Sequence, residues 1–343
     1  MLESRPRQAA RGDGEIHVPT IERSGLNSSE SGVRRAPARI VIATRESALA
    51  LWQARHVEAQ LTALYPESEI RLLGMTTEGD RRLGASLAKI GGKGLFVKEL
   101  EAALEAGDAD IAVHSMKDVP MTLPQGFTIA AIGPREDPRD ALVSARCTSL
   151  SELAAGAVVG TSSLRRESQI RARYPALAVA PLRGNVQTRL RKLDEGQFDA
   201  IILAAAGLKR LGLEARIAAL IPTEESVPAV GQGALGIECC EDRTDMIAAV
   251  APLNDDPTAR CVRAERAMSR ALAGSCNVPL GGYARIENGR IHMAGFVASP
   301  DGSRHLTARA DGGVDDPERL GEALARELYR RGAAAILASL AAT

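Results

Sequence analysis

From Ile40 onward, short β-branched runs alternate with stretches of helical period, a pattern that predicts βαβ units around a parallel sheet. A strand over 40–43 leads into a helix from Ser47 to Leu64 that Pro66 stops, and a strand over 70–73 follows. A helix over 98–106 precedes an apolar strand from Ile111 that ends abruptly at Lys117, Asp118 and Pro120. After Pro134-Arg-Glu-Asp-Pro138 the pattern starts afresh: a strand at Val158, a helix over 164–174, a strand over 177–182, a helix over 186–195 and a strand over 198–203. Two similar α/β lobes, joined at Pro138 and again near Pro228, imply a cleft between them. The character changes at Asn254-Asp-Asp-Pro257. A helix over 258–272 is followed by strands over 283–287 and 290–298, which flank Asn288-Gly289, the signal of a type I′ hairpin. A turn over 299–302, a strand over 306–310 and a final helix over 317–341 complete a small α+β domain with an antiparallel sheet.

Length and composition narrow the class. The 343 residues suffice for two or three domains, each with its own core. Residues 1–38 are rich in Arg, Ser, Gly and Glu without a hydrophobic period and read as a disordered leader. Its scattered acids and lack of an apolar core segment argue against transit or signal peptides. The 43 basic and 43 acidic side chains cancel, so no global field recruits nucleic acid or a membrane, and an anion site must be built locally. Aromatic residues at 3% argue against a stacking platform for nucleic acid. No apolar run reaches the roughly 18 residues of a membrane span. Five cysteines, odd in number and without metal spacing, suit a reducing cytoplasm.

Candidate chemistry gathers at the strand ends. In open α/β sheets, ligands bind in the crevice outside the carboxyl ends of the strands, where Lys117 and Asp118 fall. Arg45 and Ser47 follow the first strand; Thr161, Ser162, Ser163, Arg165 and Arg166 follow the strand at Val158. Arg183 and Gly184, with Arg189 a turn further on, follow the next. Helix N-termini offer free N–H groups to anions, and arginine forks match carboxylates bidentately. Asp118, one carboxylate amid these cations, reads as an acid/base group acting on a carboxylate-rich ligand. The glycine-rich run Lys89-Ile-Gly-Gly-Lys93 lacks the Ser or Thr of a phosphate loop and reads as a mobile loop that carries Lys89 or Lys93 over the cleft. Cys276, in Gly274-Ser-Cys-Asn-Val-Pro279, is either an ordinary structural thiol or a point of covalent attachment. No nucleophile elbow surrounds Ser115, so His114 reads as a packed strand-end residue.

These blocks, together with Gly91-Gly-Lys-Gly-Leu-Phe-Val-Lys-Glu-Leu100, Arg135-Glu-Asp-Pro-Arg-Asp140, Ala206-Gly-Leu-Lys-Arg210 and Pro228-Ala-Val-Gly-Gln-Gly233, resemble the porphobilinogen deaminase (hydroxymethylbilane synthase) family from Ile40 onward. The resemblance implies two α/β domains like periplasmic binding proteins, over 39–133 with 229–252 and over 139–228, and a C-terminal α+β domain over 256–343. It implies a transferase that joins four porphobilinogen molecules head to tail with loss of ammonia, acting as a cytoplasmic monomer without nucleic-acid, membrane or metal partners. It also implies a dipyrromethane cofactor joined by a thioether to Cys276. Asp118 matches the family's catalytic carboxylate, with Lys117 beside it. Arg45, Ser47, Lys117, Thr161, Ser162, Ser163, Arg165, Arg166, Arg183, Gly184, Arg189 and Gln232 match cofactor contacts. Arg45, Gln53, Arg183, Arg189 and Arg210 match substrate contacts. The alternative is a non-catalytic carboxylate-binding protein on the same two-lobed fold.

Overall fold

The computed structural model describes residues 37–77, 97–272 and 278–341. Nearly all of the predicted leader, the loop lysines Lys89 and Lys93, and Cys276 lie outside the described residues. The first lobe is a five-stranded sheet of β1 (Arg39–Arg45), β2 (Glu69–Met75), β3 (Ile111–Ser115), β4 (Phe127–Ile132) and β10 (Leu235–Cys240), in the order β2-β1-β3-β10-β4. Helix α1 (Ala48–Leu64) covers one face and α2 (Lys98–Glu105) the other. Ile40 and Ile42 of β1 pack with Ala54, Val57 and Leu61 of α1, whereas Ala43 packs with Leu100, Ala103 and Leu104 of α2. A strand covered on both faces reads as an unbroken apolar run, which is why β1 was legible.

The second lobe repeats the plan. Strands β5 (Asp140–Val143), β6 (Val158–Gly160), β7 (Ala178–Ala180), β8 (Ala200–Ala204) and β9 (Ala219–Ile221) lie in the order β7-β6-β8-β5-β9. Helices α3 (Leu164–Arg173), α4 (Val186–Asp194) and α5 (Ala205–Arg210) accompany them. The expectation of parallel sheets is corrected here, because both sheets are mixed. β10 runs antiparallel to β3 and β4, and β5 antiparallel to β8 and β9. Each antiparallel strand arrives from the other lobe, so it enters its sheet from the opposite end. The crossover 133–139 leads from β4 to β5, and the crossover 222–234 leads from β9 to β10.

The third unit is an antiparallel meander of β11 (Leu280–Glu287), β12 (Arg290–Ala298) and β13 (His305–Gly313). Between β10 and this sheet run α6 (Thr244–Val250) and the long α7 (Asp256–Ala271). Asn288 and Gly289 both have positive φ (51° and 72°), the geometry of the predicted type I′ turn. The predicted single helix over 317–341 is two helices, α8 (Pro317–Arg330) and α9 (Ala333–Ala341). Gly332, at φ 104°, takes the left-handed conformation that ends α8. The core of the third unit joins Met268 of α7 and Leu272 just after it to Met293 and Val297 of β12 and Leu324 and Leu328 of α8. Among the described residues, no helix is long and apolar enough to cross a membrane.

One carboxylate fastens these units together. Glu265 of α7, fully buried, accepts two hydrogen bonds from the Arg135 fork at 2.7 and 2.8 Å. It also accepts from the Gly231 and Ala284 amides at 2.7 and 2.8 Å. Arg135 lies in one crossover, Gly231 in the other and Ala284 in β11. The crossovers themselves are zipped by Gly133 N–H to the Leu235 carbonyl and Glu136 N–H to the Gly233 carbonyl, at 3.0 and 3.1 Å. Gly233 has φ 91°, and a Cβ there would lie 2.2 Å from the Glu136 carbonyl oxygen, so the zipper admits only glycine at this point. Glu265→Gln keeps the shape but strands a buried guanidinium. Urea unfolding of this variant should show a loss of about 3–5 kcal/mol; a midpoint equal to that of the parent chain contradicts the clamp.

Candidate active site

Beyond β3 the chain makes a single 3₁₀ turn, Met116–Asp118. Met116 is fully buried, and its side chain fills the space left by Gly231 and Gly236. From α7, Arg266 donates to the Pro120 and Met121 carbonyls at 2.6 and 3.2 Å, which holds the segment that follows. The turn is therefore gripped on both sides of Lys117 and Asp118. Burial pushes the Lys117 ammonium down to about 8; Asp118 and Asp140 pull it back up, and Arg166 and Arg165 lower it further. These partners place Lys117, on the first lobe, within electrostatic reach of α3 on the second.

Arg189 of α4 supplies the opposing cation. Its Nε donates to the Gly184 carbonyl at 2.7 Å. Gly184 has φ 116°, and a Cβ there would meet Thr188 at 2.6 Å, so this close turn also requires glycine. Asn185 caps α4 by accepting from the Thr188 amide at 2.9 Å. Burial lowers Arg189 to about 10, with Arg166 and Arg183 adding and Asp118 opposing. Lys117 and Asp118 from one lobe thus share a field with Arg166, Arg183 and Arg189 from the other.

The expectation that Asp118 is the lone carboxylate among these arginines is corrected by Asp140, which is fully buried at the start of β5. Arg165 reaches both Asp140 oxygens with Nη1 and Nη2 at 2.8 and 3.0 Å, and Arg166 reaches Oδ1 with Nε and Nη2 at 3.0 and 2.7 Å. Ser226 and Gln232, both from the second crossover, donate to the same carboxylate at 2.8 and 3.0 Å. Although burial alone would raise the Asp140 carboxyl, the two guanidiniums hold it far below the usual carboxylate range. The cationic forks expected at the cleft wall are largely committed to this hub. Two polar atoms there remain buried without a hydrogen-bond partner among the described residues, Arg165 Nε and Gln232 Oε1.

Several other expected contacts make local bonds. Ser47 caps α1 through the Ala50 amide at 3.3 Å, and Ser163 caps α3 through the Arg166 amide at 3.4 Å. Thr161 Oγ1 accepts from the Ser163 amide at 3.2 Å, while the Ser162 hydroxyl donates to the Leu182 carbonyl at 2.9 Å. Gln53 is buried and donates to Ser115 Oγ at 2.7 Å. Arg210 donates to the Gly233 carbonyl at 2.7 Å. Arg45 ends β1, and Arg183 is half-buried just before the Gly184 turn. His114 is the packed residue expected, 2.8 Å from the buried Glu238 carboxylate. Sequence reasoning missed Asp140, Ser226, Gln169 and Glu265. Gln169 Oε1 accepts from the Val227 amide at 2.7 Å and so ties α3 to the second crossover.

Residues 40–248 match the family model described as porphobilinogen deaminase, dipyromethane cofactor binding domain, and residues 259–330 match porphobilinogen deaminase, C-terminal domain. The chain is similar to porphobilinogen deaminase of Thiobacillus denitrificans, 64% identical over 303 residues that cover 88% of this chain and 99% of that protein. It is similar to porphobilinogen deaminase of Nitrosomonas europaea, 63% identical over 306 residues covering 89% and 99%. Among solved structures, a methionine-binding protein, MetQ, overlaps 62% of this chain and 89% of its own at 15% identity, with a TM-score of 0.41. A dipyrromethane carries carboxylates on each ring, and the cleft's chemistry fits such a group. Lys117, Arg183 and Arg189 are cations in one field, and Arg165 Nε is a buried donor without an acceptor among the described residues.

Lys117 provides a direct check of the field. With a folded pKa of about 8 against an ordinary 10.5, the folded chain binds fewer protons than the unfolded chain between these values. The contribution of Lys117 to stability is therefore fully present above the upper value and lost as pH falls through the lower one. Amine-reactive labelling read peptide by peptide across pH should give Lys117 a midpoint near 8. Titration together with the exposed lysines contradicts the burial described.

Proposed function

Because the chain belongs to the porphobilinogen deaminase family, we propose that the Lys117-Asp118 turn and the cations of α3 and α4 line the cleft where its reaction takes place. The activity is the head-to-tail condensation of four porphobilinogen molecules with release of ammonia, giving the linear tetrapyrrole hydroxymethylbilane for porphyrin and heme synthesis. We assign it to the transferases. When bound, dipyrromethane supplies the pyrrole carbon to which the first porphobilinogen is joined. Cys276 would attach it, and Lys117, Arg165, Arg166, Arg183 and Arg189, with Arg45 and Ser163, would hold its carboxylates, whereas the Gln232 amide gives its N–H groups to Asp140 and the Pro138 carbonyl. Arg189 and Arg210 would hold those of the incoming substrate. The even balance of charges supports a small-molecule substrate rather than nucleic acid, and the cysteines without metal spacing support a cytoplasmic setting. The proposed domains are 39–133 with 229–252, 139–228 and 256–343.

The observation that supports the mechanism is that Asp118 acts electrostatically on both Lys117 of its own lobe and Arg189 of the other. Ammonia leaves the aminomethyl carbon only as its nitrogen gains a proton, and the carbon left behind is part of a cation spread over the pyrrole ring. A carboxyl group can deliver the proton and, once ionised, stabilise that cation electrostatically. The same carboxylate can then accept the proton lost by the newly joined ring. Lys117, at about 8, stays largely protonated at neutral pH and so can hold a substrate carboxylate. A protein that only bound carboxylates would gain nothing from an acid in this position.

Asp118→Asn preserves size and removes both capacities. Single-turnover ammonia release from protein supplied with preassembled dipyrromethane should slow by about 100-fold or more. A rate within about threefold of the parent, far short of the loss expected when acid/base catalysis is removed, moves the catalytic role to another residue.

A further inference from the structure

The chain's single tryptophan lies where the two lobes meet. On α1 of the first lobe, Leu49, Trp52 and His56 follow one another at helical spacing and form one stripe. Opposite stands α5 of the second lobe. Gly207 of α5 comes so close that a Cβ there would be 3.6 Å from Leu49 Cδ2. One turn on, the Arg210 guanidinium carbon lies over the Trp52 ring, 5.7 Å from its centroid. The Trp52 and His56 rings are stacked at 5.1 Å with 9° between their planes, which fixes the orientation of the indole. Arg210 Nη2 meanwhile donates to the Gly233 carbonyl at 2.7 Å, the same carbonyl that zips the two crossovers through Glu136 N–H.

We infer that Trp52 is a positioning residue for Arg210, its indole holding the guanidinium ready for a substrate carboxylate only while α1 and α5 are seated against each other. The inference rests on reading Arg210 as a substrate-carboxylate ligand. Only Nη2 of the fork has a hydrogen-bond partner among the described residues, so the N–H groups on Nε and Nη1 are still available to a carboxylate, on either side of the bond to Gly233. A flexible arginine would lose side-chain freedom on binding; one already clamped between an indole face and a backbone carbonyl has lost it beforehand. Burial lowers Arg210 to about 10, with Glu136 opposing, so the fork remains a cation at neutral pH. His56 is shifted downward by burial and by Arg210, which favours the neutral ring that can stack without repelling the guanidinium. Because the two halves of the contact belong to different lobes, relative movement of the lobes changes the affinity of Arg210 for its ligand.

Steady-state kinetics of the holoenzymes on porphobilinogen test this with Trp52→Leu, Trp52→Phe, Arg210→Ala and the Trp52→Leu/Arg210→Ala double variant. Trp52→Leu should raise KM about tenfold with kcat little changed, and Trp52→Phe should recover most of the loss because a ring face remains. In the double variant KM should match that of Arg210→Ala alone, since the two residues act through one contact. As the only tryptophan, Trp52 should change its emission when porphobilinogen is added to the parent and not to Arg210→Ala. An unchanged KM in Arg210→Ala overturns the reading of Arg210 as a ligand. A raised KM there, combined with a parental KM in Trp52→Leu or fully additive effects in the double variant, overturns the role of Trp52 alone. Should Trp52→Leu not fold, a Trp52→Phe KM as high as that of Arg210→Ala, or an emission that ignores porphobilinogen, overturns it as well.

Discussion

Two buried carboxylates, Asp140 and Glu265, hold the places where the chain passes between lobes. Moving either charge out of water is costly unless cations and amides surround it, and here each is fully surrounded. Asp140 receives two guanidiniums, a serine hydroxyl and a glutamine amide; Glu265 receives one guanidinium and two backbone amides. Hydrophobic packing could have supplied similar stability without such directionality. What ion pairs add is geometry, since a fork bonded to both oxygens of a carboxylate admits little rotation. Each carboxylate also gathers groups from more than one unit, so the lobes, the crossovers and the third unit are registered against one another through a few short bonds.

This arrangement divides the cations into two sets. Arg135, Arg165, Arg166 and Arg266 spend most of their donors on carboxylates or carbonyls of the chain itself. Lys117, Arg183 and Arg189 belong to the proposed cleft, where Asp118 acts on Lys117 and Arg189. The first set shapes the second. Arg166 and Arg165 help depress Lys117, while Asp140 softens that effect, so a residue buried behind the proposed cleft wall contributes to the charge state of Lys117. Removal of Asp140 would therefore alter the cleft both through Lys117 and by freeing the Arg165 and Arg166 forks.

Much of the fold was legible because the chain's local signals agree with its tertiary structure. The β1 and β3 runs are apolar since both faces of their sheet are covered, and the Ser47 and Asn185 caps stand where the helices begin. Asn288-Gly289 foretold its turn by chemistry alone. The antiparallel strands β5 and β10 were not legible as such, because direction within a sheet depends on which lobe the chain comes from and leaves no trace in periodicity. Lys117 and Asp118, the proposed centre of the cleft, stood out because charge follows an apolar strand there. Asp140 was hidden in a run with Glu136 and Asp137, three acids whose roles are separated only by burial. Arg165 and Arg166 were correctly placed at a helix start, yet their main partner lies far away in sequence, at the beginning of β5. The break in the last helix was not legible, because Gly332 stands among good helix formers and only its positive φ marks the stop.

The claim at the centre of this account is that Asp140 holds α3 and both crossovers in the arrangement on which the carboxylate site depends. Asp140→Asn, purified and analysed by intact mass, tests it directly because cofactor retention can be read without any assay of turnover. The account predicts a folded fraction in which most molecules have lost the added mass of dipyrromethane that the parent chain carries. A fully loaded Asp140→Asn protein with the unfolding midpoint of the parent would contradict it.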